Sequence, residues 1–153
     1  MAIQFLDERI SVHRNNSTGA EVLSATPLLI GDIGLQTGAA VPAGNASLVR
    51  VALTGTVGVG VVEEVAPTVT LTIERNSNGT AGTGVVILTD TFNIGFSSSL
   101  PPFSVSGGDF PPAAAVTAGA GEIRYSLFLS VDTTGVVLTG PAVFNGSASA
   151  GTT

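Results

Sequence analysis

Between Val49 and Val61 every second residue is apolar except for one glycine: Val49, Val51, Leu53, Gly55, Val57, Val59 and Val61. The residues between them are Arg50, Ala52, Thr54, Thr56, Gly58 and Gly60, with Val62 following. A period of two puts successive side chains on opposite faces of a strand, whereas a helix needs repeats at three and four. Glu63-Glu64 and Pro67 interrupt the pattern, and a second alternation follows. It sets Val69, Leu71 and Ile73 against Thr68, Thr70, Thr72 and Glu74. This predicts that Leu48–Arg75 is the central hairpin of an all-β domain.

The rest of the chain repeats this grammar. In Glu122–Asp132, Ile123, Tyr125, Leu127, Leu129 and Val131 face one way, and Glu122, Arg124, Ser126, Phe128 and Ser130 the other. Phe128 on the polar side reads either as an inter-subunit contact or as a scattered exposed aromatic. Further strands are expected in Glu21–Ile30, Val85–Phe96, Val136–Thr139 and Ala142–Ala150, the last two split by Gly140-Pro141. Turn-formers separate them at Asn15–Gly19, Gln36–Ser47 and Asn76–Gly84, where Asn78-Gly79 can supply positive φ angles. Ser97–Gly121, with two proline pairs and Gly107-Gly108, reads as a long extended loop. About eight antiparallel strands without a helix predict a single-domain, jelly-roll-like β-sandwich over residues 15–153. Residues 1–14 read in two ways: an N-terminal arm docking on a neighbouring subunit through Ile3, Phe5, Leu6, Ile10 and Val12, or the domain's first strand.

Only 10% of the residues are charged, against about 25% in ordinary domains. All five cations are Arg and eleven carboxylates bring the net charge to −6, which argues against nucleic acid. No run approaches the ~18 apolar residues of a membrane helix, so no membrane insertion is expected. The absence of Lys removes phosphate loops, Schiff bases and Lys–Asn cross-links, and the absence of Cys removes disulfides and thiolate chemistry. The N-terminus lacks a basic stretch followed by an apolar one, so it does not read as a secretory signal.

Nothing in the chain calls for a catalytic, cofactor or metal site. His13 stands alone beside Arg14 with no nucleophile elbow in the sequence, and zinc needs three or four ligands. Asp90, Asp109 and Asp132 lack calcium-loop spacing. Glu63 and Glu64 are adjacent, so on a strand they point to opposite faces. The glycines at 55, 58 and 60 and at 79, 82 and 84 read as bulges and turns, not nucleotide loops.

The expectation that remains is a structural subunit whose partners are copies of itself, in an open homopolymer, together with an anchoring surface protein. A surface of Thr, Ser, Ala and Val protects poorly against association, and the Ala/Thr/Gly face carrying Thr54 and Thr56 is expected to be covered by another copy. Strand addition from residues 1–14 or 142–153 is a second route. The runs LVRVALTGT (48–56), EIRYSLFLSV (122–131) and LTGPAVFNGSASAG (138–151) resemble small jelly-roll proteins of Firmicutes endospore surfaces, including exosporium proteins and appendage subunits. That resemblance implies a spore-surface or extracellular fibre made without a signal peptide, with residues 1–14 as connector. The chain departs from such appendage subunits in lacking connector cysteines, so cross-linking by that route is excluded. A viral or phage coat or decoration protein is the first alternative, located in the virion. A carbohydrate-binding β-sandwich is the second, disfavoured by one Tyr and no Trp.

Overall fold

The alternation at 49–61 buries its odd face: Val49, Val51, Leu53, Val57 and Val59 are all inside. The computed structural model describes residues 3–96 and 100–151. Its strands are β1 (Gln4–Arg14), β2 (Glu21–Val22), β3 (Leu28–Gln36), β4 (Val49–Val61), β5 (Thr68–Arg75), β6 (Val85–Asn93), β7 (Phe103–Asp109), β8 (Glu122–Val131) and β9 (Val136–Ala150). A short helix, α1 (Ala113–Thr117), lies between β7 and β8.

Two antiparallel sheets pack face to face, one in the order β1-β9-β4-β7 with β2 also on β9, the other in the order β3-β8-β5-β6. Among the long strands, only β5 and β6 are consecutive neighbours in one sheet; the other connections cross between sheets. This is a jelly roll.

Leu48–Arg75 is therefore not a hairpin. β4 lies between β9 and β7, and β5 between β8 and β6 in the opposite sheet. Alternation states which face of a strand is buried; it does not name the strand alongside.

Two further expectations change. The Ser97–Gly121 segment, of which 97–99 lie outside the described residues, contains β7, paired with Val51–Val57, and α1. Its prolines fall outside both elements, and Pro112 immediately precedes α1, where a missing N–H costs nothing. The two short strands expected after Asp132 are one strand of 15 residues. β9 runs beside both β1 and β4, with a register shift between Val57 and Val59. A Cβ at Gly58 would overlap the carbonyl oxygen of Gly140, so the two strands approach here only because residue 58 is glycine. In the Asn76–Gly84 turn, positive φ belongs to Asn76, Gly79 and Gly82, not Asn78.

The core lies between the sheets around Leu53, Leu71, Tyr125, Leu127 and Phe144, all essentially inaccessible. Gly55, the exception in the β4 pattern, stands opposite Phe144, and a Cβ at Gly31 of the other sheet would overlap the Phe144 side chain. Gly31 thus leaves room for the buried Phe144 ring, and Gly55 for Leu127 and Val105, which a Cβ there would crowd.

One side of the sandwich is sealed by side chains. The Gln36 N–H donates to Asp7 Oδ2 at 2.8 Å and the Asp32 N–H to Ser11 Oγ at 3.2 Å. Residues of β1 thereby satisfy groups along the edge of β3 that would otherwise invite another strand. Burial alone would raise the Asp7 pKa, but the N–H of Gln36 and the Arg9 guanidinium outweigh it and hold it below the usual value.

Candidate assembly face

Residues 4–14 are the edge strand of their own sheet, paired with β9 from Gln4↔Ala150 to Arg14↔Ala142. Leu6 packs against the core, while Ile3, Phe5, Ile10 and Val12 stay exposed at 51%, 65%, 65% and 47%. Phe5, Ile10 and Val12 stand opposite Ser149, Asn145 and Val143 of β9, which alternate with that strand's buried residues. They therefore belong to the outer face of the sheet.

Register extends that face across three more strands. Val12, Val143, Thr56 and Ser104 form one row, Ile10, Asn145, Thr54 and Ser106 the next, and Glu8, Ser147, Ala52 and Gly108 a third. Phe5, Ser149 and Arg50 form a fourth. Apart from the apolar rim on β1 and the charged Glu8 and Arg50, the surface is built of Ser, Thr, Ala, Gly, Asn and one Val. It carries a shallow depression lined by Glu8, Ala52, Thr54, Asn145, Gly146 and Ser147. Thr54 is exposed and Thr56 half-buried. The face carries two charges, Glu8 and Arg50, and among the described residues neither has a side-chain hydrogen bond or ion pair. The other acid–base pairs are Arg9–Asp7, His13–Glu21, Arg75–Asp109 and Arg124–Asp32.

The outer face of the other sheet is built differently. Phe128 points outward from β8 in register with Leu29 and Thr72, yet it is only 2% exposed in the single chain. It is not presented to a neighbour. The Asn76–Gly84 turn folds over this sheet: Arg124 Nη1 donates to the Ser77 carbonyl at 3.0 Å, and Ser77 Oγ to Ser126 Oγ at 2.8 Å. The buried Glu74 accepts from the N–H groups of Gly82 (2.6 Å) and Gly84 (3.0 Å). Arg124 Nε reaches Asp32 Oδ1 at 2.7 Å.

The remaining candidates do not converge. His13 Nε2 lies 2.8 Å from Glu21 Oε2, joining the end of β1 to β2. Glu63 and Glu64 are exposed after β4. Asp90 Oδ1 accepts from the N–H of Thr91 and Asp132 Oδ1 from that of Thr68. Asp109 belongs instead to an interior cluster that alternation alone did not reveal. Arg75 Nη1 donates to both its oxygens at 2.9 and 2.7 Å, and the Tyr125 hydroxyl donates to Oδ2 at 2.8 Å. Burial first, and then the bond to Asp109, pushes the Tyr125 hydroxyl far above its ordinary pKa. This cluster ties β7 of one sheet to β5 and β8 of the other. The available signal was charge at inward or strand-end positions: Arg75 closing β5 and Asp109 closing β7.

No family model matches the chain, and no curated protein matches it. Among solved structures, it is similar to an Eiger TNF from S. frugiperda at 13% identity and a TM-score of 0.45, covering 94% of this chain and 92% of that one. It is similar to a chain of infectious bursal disease virus, Gx strain, at 8% identity and 0.45, covering 94% and 32%. A third is the CBM22-1–GH10 xylanase of Clostridium thermocellum at 12% and 0.37, covering 99% and 26%.

Proposed function

We propose that this chain is a non-enzymatic structural subunit that assembles with copies of itself through the outer face of the β1-β9-β4-β7 sheet. One observation carries the reading. That face spans four strands with two charges and small side chains, and exposed Phe5, Ile10 and Val12 line its rim. Few charges and an exposed apolar rim protect such a surface poorly against association. Face pairing is favoured over strand addition because residues 4–14 already occupy the edge of β9, and exchange would first have to break that ladder.

The finer reading is a fibre on an extracellular or spore surface, fixed by an anchoring surface protein and of the appendage type that residues 48–56, 122–131 and 138–151 resemble. A contact that pairs identical patches closes at two copies, so a fibre needs a second, different contact. The test is negative-stain microscopy of the purified chain beside Thr54→Lys and Thr56→Lys. Filaments lost in both variants support the fibre. Closed shells favour a coat or decoration protein, and a monodisperse monomer overturns self-assembly.

A further inference from the structure

The two charges of the outer face are placed so that a second copy can satisfy both at once. Glu8 lies on β1 in the row of Ser147 and Ala52, and Arg50 lies on β4 in the row of Ser149. β9 runs between them, so they stand two strands and two residues apart, about 12 Å from the standard strand spacing and rise. No ion pair joins them within the chain. Neither has a partner among the described residues, and Arg50 is the one Arg there without a side-chain hydrogen bond.

We infer that the occupant of this face is a second copy of the chain, docked about a two-fold axis that crosses β9 between Ser147 and Ser149. Such an axis, lying in the plane of the interface, exchanges the positions of Glu8 and Arg50. Each Glu8 then meets the other copy's Arg50, so two ion pairs form from charges that are otherwise unpaired. The surface around the axis is Ser and Ala, small enough for the two sheets to approach. The footprint from Arg50 to Thr56 over at most four strands is about 19 by 24 Å, at most roughly 900 Å² for the two copies together, below the range of stable specific interfaces and in that of weak, transient contacts. The pairing is therefore concentration-dependent, and its two ion pairs give it register and salt sensitivity.

The inference rests on the assembly face proposed above, and a charge swap separates the two. The measurement is the dimer dissociation constant by sedimentation velocity over a concentration series, with circular dichroism as a check of folding. Glu8→Arg and Arg50→Glu each turn two attractions into two repulsions and are expected to weaken pairing at least tenfold. The double variant restores it to within about threefold of wild type. Glu64→Arg, an exposed charge change away from the face, leaves it unchanged. Single reversals without effect, or a double variant that stays as weak as the singles, overturn the two-fold pairing. If Thr54→Lys still abolishes association in that case, the face stands and only the axis is wrong. If Thr54→Lys is also silent, both readings fall.

Discussion

The two outer faces of the sandwich are written in the same alternating code and finished in opposite ways. On the β3-β8-β5-β6 sheet the chain completes its own surface. The 76–84 turn folds back onto it, Glu74 receives two N–H groups, Arg124 bridges Asp32 and Ser77, and Phe128 is buried. On the β1-β9-β4-β7 sheet no such cover is present among the described residues. Small, exposed or half-buried side chains lie in rows, an apolar rim runs along β1, and two charges stand without partners among the described residues. An outward face of an alternation can thus be covered by a local turn, as on the β3-β8-β5-β6 sheet, or left without one.

The contrast can be broken by substitution, and the largest effect is expected where the chain covers itself. Phe128→Ala should cost about 3–5 kcal/mol of folding stability, the usual penalty for emptying a buried aromatic site. Urea unfolding of the variant checks this. A loss under 1 kcal/mol would mean that Phe128 is not a folding residue and would return it to the surface.

Glu74→Ala should cost about 2–3 kcal/mol, because the Gly82 and Gly84 N–H groups lose a charged acceptor in a buried site. Hydrogen exchange should report faster exchange at these two amides while β4 and β9 keep their protection.

Thr54→Lys, on the open face, should leave folding stability within about 0.5 kcal/mol and abolish association. Equal loss of both would mean that this face is internal to the fold.

The smallest effect concerns the sealed edge of β3. Asp7 has its folded-state pKa below its unfolded one, so its contribution is present above about pH 4 and is lost as the pH falls through the lowered value. Asp7→Asn should remove a few tenths of a kcal/mol at neutral pH, the scale of an exposed ion pair. The gap to wild type should close in strong acid, as followed by denaturant unfolding at pH 7 and pH 2.

Much of the fold was legible because side-chain period is a local property. Val49–Val61, Thr68–Arg75 and Glu122–Val131 announce their buried faces directly, and all three are strands with those faces inward. Strand partners are set by topology, which is why β4 and β5 read as a hairpin while lying in different sheets. β7 was hidden by composition: Ser104, Ser106 and the Gly107-Gly108 pair leave only Val105 buried among its apolar residues. The low-charge face around Thr54 and Thr56 was legible for the same reason as β4 itself. Its extension onto Ile10, Asn145 and Ser106, and the stance of Glu8 against Arg50, come from register, which no single segment encodes. The burial of Phe128 was not legible either, since it stands at an outward position of β8, in register with Leu29 and Thr72 of strands far away in the chain.

The most direct test of the assembly face is the sedimentation behaviour of the wild-type chain and Thr54→Lys over a common concentration series. Wild type is expected to move above its 15.2 kDa chain mass as concentration rises, while the variant, folded and equally stable, stays at that mass. Wild type remaining at 15.2 kDa throughout, or both proteins associating alike, would contradict it.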